Sequence, residues 1–244
     1  MGIRFAFLRV SAIIWLLNYV SPSMGAAEML YSSHFIIRYE GDAPEGVFYQ
    51  LPEILEEAYE ILSQELGSSL TNPVEVKVYR TTRSFTQSTG KPWWIAATHE
   101  GSRIEIQPIE LLRKRGTLPS TLRHELTHIF VNKISQSRCP LWLNEALALH
   151  FSGEGLRLVR KYGGRVFKNP PTPEIIQETL ENPKDPLSSE QAYWQAYGAF
   201  QCLLKRQEGL KRLLYELEEL GRKSGTSVPE DPFWWGDLFM SCKE

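Results

Sequence analysis

The chain has little with which to staple itself: its 244 residues include only three cysteines, Cys139, Cys202 and Cys242. An odd number cannot all pair within one chain, so a dense disulfide framework in place of a core is excluded. At least one thiol stays free or pairs between chains, and Cys202, in the helical run Ala199–Leu204, reads as a buried apolar cysteine. Basic excess is missing too. With 27 Lys and Arg against 29 Asp and Glu, the formal net charge is -2, which offers no field for nucleic acid, and nucleic acid is not an expected partner. Beyond residue 27 no apolar run is long enough to span a bilayer. Internal repeats and low-complexity tracts are absent. What remains, 42% hydrophobic and 23% charged residues, suits an ordinary globular domain with one core.

The first residues read as an export signal. Arg4 and Arg9 precede the apolar run Val10–Val20, and the small residues Ser23, Gly25, Ala26 and Ala27 follow. The expectation is a signal peptide over 1–27, then a single domain over 28–244, exported to a periplasmic or extracellular space without stable membrane insertion after cleavage. An uncleaved N-terminal anchor is the alternative, because Phe5–Val20 approaches the ~17 apolar residues of a short span.

The pattern past residue 27 changes once. His34–Tyr39 is β-branched and aromatic and ends at Gly41-Asp42, a strand and a turn. From Gly46 to Leu66, apolar residues recur at three- and four-residue spacing and Gly67 closes the run, which predicts an amphipathic helix. Val74, Val76 and Val78 alternate with Glu75 and Lys77, a half-buried strand. Trp93–Thr98 and Arg103–Gln107 predict a hairpin. After Pro119 helical spacing dominates, with loops at Gly163-Gly164, Asn169–Pro173 and Asn182–Pro186. Strands first and helices after predict an α+β domain whose small N-terminal sheet is packed on one side and whose C-terminal part is helical.

Within the helix opened by Pro119 stands His124-Glu-Leu-Thr-His128. Residues four apart share one helix face, so both imidazoles can reach one ion, while Glu125 is turned about 100° from the first of them. Leu122, Leu126 and Ile129 form a separate apolar stripe that would hold the helix to the core. A catalytic zinc site keeps three protein ligands and one open position. Glu145 lies 17 residues after His128, in the run Pro140–Phe151, and a helix, a turn at Pro140 and a second helix would return it to the metal.

The pair His124-Glu-Leu-Thr-His128 and Trp142-Leu-Asn-Glu145-Ala-Leu-Ala148 resembles the signature of gluzincin zinc metallopeptidases, most closely the peptidase MA-like domains of bacterial exported proteins. The resemblance covers Ser32 to about Gly221. It implies a zincin-like fold, similar to the catalytic parts of thermolysin and the zinc aminopeptidases. It also implies Zn2+ held by His124, His128 and Glu145, and Glu125 as the base that activates water for hydrolysis of a peptide or polypeptide. In such enzymes a tyrosine from a later helix supports the oxyanion, and Tyr193 and Tyr197 are the residues available, with Tyr193 preferred; the other reading makes both core aromatics. One position departs from the pattern. An acidic residue four places after the glutamate ligand orients a histidine in thermolysin-like enzymes, and here that place holds Leu149, leaving His150, Asn144 or a backbone carbonyl for the task. The strand Arg103–Gln107, directly before the motif helix, takes the place where gluzincins keep a substrate-pairing edge strand.

His34, His99 and His150 have no ligand spacing and read as surface or capped core residues. Lys205–Lys223 reads as a solvated helix face with Leu210, Leu213, Leu214 and Leu217 inside, and Phe233–Gly236 as an aromatic segment folded back on a core. Two rivals stand beside the peptidase: a zinc-binding scaffold or assembly factor of the cell envelope that cleaves nothing, and a non-peptide hydrolase on the same scaffold. Oligomeric state is open from sequence.

Overall fold

A computed structural model describes residues 28–44, 46–163, 171–206 and 209–222. The expected signal segment, Cys242 and the aromatic segment Phe233–Gly236 lie outside the described residues. The chain opens with strands β1 (Glu28–Tyr31) and β2 (Phe35–Tyr39), helix α1 (Val47–Leu66) and strand β3 (Val74–Val78). Helix α2 (Thr82–Thr89), strands β4 (Ala97–Glu100) and β5 (Arg103–Ile106) and helix α3 (Ile109–Lys114) follow. The rest is helical: α4 (Leu118–Ser135), α5 (Leu141–Ser152), α6 (Glu154–Tyr162), α7 (Pro173–Glu181), α8 (Pro186–Arg206) and α9 (Leu210–Arg222). The architecture is α+β, as composition order predicted.

The mixed sheet runs β1-β2-β3-β5-β4, with parallel pairs β2/β3 and β3/β5 flanked by antiparallel pairs at each edge. Phe35, Ile37 and Tyr39 in β2, and Val74, Val76 and Val78 in β3, are buried while their alternates are less so. That period-two burial gives one packed face, and α1 and α4 pack beside it. The predicted first strand is therefore the second: β1 is a four-residue partner whose short sequence carries no alternation. Also unforeseen was α2, which begins at a reciprocal cap between Thr81 and Ser84. The hairpin forms, but its first strand is only Ala97–Glu100. Trp93 and Ile95 instead give their carbonyls to the Gln107 side-chain amide, so the preceding segment is a pinned loop.

Helix α1 ends at Gly67, φ 60°, where the left-handed cap that favours glycine is required. The stripe residues Leu122 and Leu126 on α4 are 0% exposed and Ile129 only 6%. Burial on α4 extends further, to Glu125, Thr127 and His128, so it is the central helix of the domain and its polar groups need partners inside the protein. Gln136 and Ser137, both left-handed at φ 51° and 59°, turn the chain, and Pro140 stands at the cap position of α5. The two helices then pack against each other. In α9, Leu213 and Leu217 are buried, in keeping with a helix that shows one face to solvent. Cys202, read from sequence as a buried apolar cysteine with its pairing open, is disulfide-bonded, and Cys139 is free. No helix among the described residues is long and apolar enough to cross a membrane.

Candidate metal centre

Helix α4 lays His124 and His128 one turn apart, with ring centroids 4.8 Å apart at 76°. Helix α5 returns Glu145 between them: its Oε2 lies 3.3 Å from His124 Nε2 and 3.5 Å from His128 Nε2. Donors bound at ~2.1 Å to a tetrahedral zinc stand about 3.4 Å apart; the two distances to Glu145 match that spacing, and all three donor atoms lie within 4.8 Å of one another, so these residues could hold zinc. The cluster is largely buried, with side-chain exposures of 12% for His124, 4% for His128 and 14% for Glu145.

Electrostatics in the cluster follow from this geometry. Burial opposes ionisation of Glu145, but the facing imidazoles outweigh it and hold the carboxyl well below the usual range. Burial likewise opposes protonation of His124, yet Glu145 and Glu154 raise its pKa well above the ordinary value; His128 is raised too, chiefly by Glu145. Such a concentration of anionic charge about two imidazoles is a site matched to a cation.

Each histidine of the cluster has a polar group beside its other nitrogen. His128 Nδ1 is 2.8 Å from Asn144 Oδ1, one of the replacements considered from sequence. His124 Nδ1 lies 3.1 Å from Glu154 Oε2 at the start of α6, an ion-pair distance without hydrogen-bond alignment. Leu149 is buried, and the carboxylate that stands beside His124 Nδ1 comes nine residues after Glu145 rather than four. His150 takes no part: it packs against Phe151 and Phe200, at 5.1 Å and 5.2 Å between centroids. His34 also keeps the structural reading, stacked on Tyr59 and 2.7 Å from Glu56 Oε2.

His99 does not keep it. Its ring stacks on His128 at 4.5 Å, and its Nδ1 is 3.2 Å from Glu125 Oε2. His99, Glu125 and His128 together form a second group of possible donors. No spacing signal could have found it, since 25 residues and a change of element separate His99 from His124; only the packing of β4 along α4 joins them. Glu154 was equally invisible, because it sits beyond a helix break at Gly153, φ 76°.

A cleft of about 370 Å³ opens at the cluster and is lined by His99, His124, Glu125, His128, Glu145 and Tyr193, among others. A smaller cavity of about 170 Å³ continues from it past Trp94, Leu149 and Glu154. Tyr193 lines both, and the Glu145 charge, then burial, push its phenol well above the ordinary value, so at neutral pH it remains a hydrogen-bond donor. Tyr197, one turn further along α8, is 2% exposed and packs in the core against Gly155 and Phe200. Of the two tyrosines, Tyr193 reaches the cleft and Tyr197 serves packing.

The edge strand is β4 rather than Arg103–Gln107. Strand β5 has β3 on one side and β4 on the other, so neither of its edges is free. Gln107 N–H donates to Ala96 O at 3.0 Å, and the alternation of an antiparallel ladder then turns the backbone groups of Thr98 and Glu100 toward β5. Ala97 and His99 turn theirs outward, beside the cleft, and no other strand among the described residues pairs there.

No protein-family model matches the chain, and a search of curated proteins finds no match.

Proposed function

We propose that this chain is an exported, zinc-dependent peptidase with a zincin-like domain over residues 28–244. The observation that carries the reading is the convergence of His124 Nε2 and His128 Nε2 on Glu145 Oε2, at 3.3 and 3.5 Å, with the Glu125 carboxylate in the same cleft. His124, His128 and Glu145 would hold zinc, which would supply Lewis acidity and make water a better nucleophile near neutral pH.

The chain's own residues do the rest. A peptide lies along β4 as an added strand, taking hydrogen bonds from the outward backbone groups of Ala97 and His99. Glu125 removes a proton from the attacking water and delivers it to the leaving amine. Tyr193 donates its hydroxyl hydrogen to the oxygen on which negative charge develops. The disulfide at Cys202 supports export, because such bonds persist in oxidising compartments.

The test uses the purified chain loaded with zinc and an unfolded polypeptide substrate. Cleavage by the parent, with Glu125→Gln retaining zinc and losing turnover, is the expected result. Stoichiometric zinc with no cleavage across a broad peptide library would reject the peptidase in favour of a metal-binding scaffold or a hydrolase of other substrates.

A further inference from the structure

A directed chain of hydrogen bonds runs from a zinc ligand to the proposed base. His128 faces Glu145 with Nε2 and the amide oxygen of Asn144 with Nδ1, at 2.8 Å; an amide oxygen can only accept, so the hydrogen sits on Nδ1 and is donated to Asn144 Oδ1. The Asn144 amide nitrogen is thereby free to donate, and does so to Asn132 Oδ1 at 2.9 Å. Asn132 in turn aims its amide nitrogen at His99 Nε2, 3.4 Å away. That nitrogen must then be the acceptor of the His99 ring, which leaves the hydrogen on Nδ1, facing Glu125 Oε2 at 3.2 Å. Every donor in the series follows from the one before it, and none can be reversed without setting two donors or two acceptors against each other. Stacking of His99 on His128 holds the last ring in place.

We propose that His99 is a positioning residue for Glu125: an imidazole whose hydrogen is fixed on Nδ1 through Asn132 and Asn144, so that it donates to one carboxylate oxygen and leaves the other for water. The tautomer follows from the hydrogen-bonded orientations of Asn144 and Asn132, whereas the effect on turnover rests on the peptidase reading. The competing assignment is His99 as a metal ligand with Glu125 and His128. It is disfavoured because His99 would have to give up its contact with either Glu125 or Asn132.

The experiment is a nitrogen-15 histidine spectrum of the zinc-loaded chain at neutral pH, with the five histidines assigned by substitution. The Nδ1–H form at His99 is expected in the parent, and mixed tautomers in Asn132→Leu. An Nε2–H signal, or a metal-shifted resonance, would overturn the proposal. These spectra need no activity, so they stand apart from failure of the peptidase reading. Where the parent cleaves peptide, His99→Ala should keep its zinc and lose about 10–100-fold in kcat with little change in KM, and His99→Asn, which restores an N–H near the Nδ1 position, should recover most of the loss. Zinc lost from His99→Ala, or Asn no better than Ala, would refute the positioning role.

Discussion

Replacement of Glu154 by alanine tests whether a carboxylate from outside the motif has taken over the task that Leu149 cannot perform. Glu154 stands in the first turn of α6, 3.1 Å from His124 Nδ1. Burial opposes its ionisation, but His124, Ser120 and Arg157 outweigh that and hold its pKa below the ordinary value, so it is an anion at neutral pH. Loss of an orienting partner of this kind costs 10–100-fold in metal affinity, about 1.4–2.7 kcal/mol. Glu154→Gln keeps an oxygen near the ring without the charge and should lie between parent and alanine. Competition for zinc with a chromophoric chelator at neutral pH measures all three, and thermal unfolding checks that each is folded. Because Leu149 lines the same small cavity as His124 and Glu154, Leu149→Asp in the Glu154→Ala background should restore part of the affinity. Zinc affinity within about twofold of the parent in Glu154→Ala would refute the orienting role. A loss equal to that of His128→Ala would instead make Glu154 a ligand.

Tyr193→Phe should lower kcat by about 10²–10³-fold, the usual cost of one oxyanion donor, with zinc retained; Tyr197→Phe should leave turnover nearly unchanged, and equal losses in steady-state kinetics would contradict the separation of the two. Gly155→Ala places a Cβ 2.3 Å from the Tyr197 ring, an overpacking worth about 1–3 kcal/mol, so denaturant unfolding should show destabilisation that Tyr197→Leu in the same chain partly relieves. Burial lowers the pKa of His150 below its ordinary value, so the unfolded chain binds that proton first. Its contribution to stability is accordingly present above the ordinary histidine value and is lost as pH falls through the folded one. His150→Gln should therefore flatten the fall in unfolding free energy over that window, and an unchanged slope would count against it.

The local elements were legible because each obeys a period that the chain displays directly. Alternation in Val74–Val78 marks a half-buried strand, three- and four-residue spacing marks α1, and the left-handed Gly67 marks its end. His124, Glu125 and His128 could be placed for the same reason: helical geometry puts residues four apart on one face whatever surrounds them. Glu145 was found through its motif and the turn before it. By contrast β1 is too short to show a period, and the strand that lies at the sheet edge is decided by pairing rather than by composition.

Sequence by itself determined the α+β class and the motif helix with His124, Glu125 and His128, since these depend on interactions within a few turns of chain, and the second motif pointed to Glu145. Tertiary structure alone decided that Tyr193 faces the cleft while Tyr197 fills the core, that β4 presents its backbone at the open edge, and that Glu154 and His99 stand beside the histidines. Those four placements arise from contacts between distant segments, where a hydrogen bond or an ion pair depends on ångström distances that no spacing along the chain encodes.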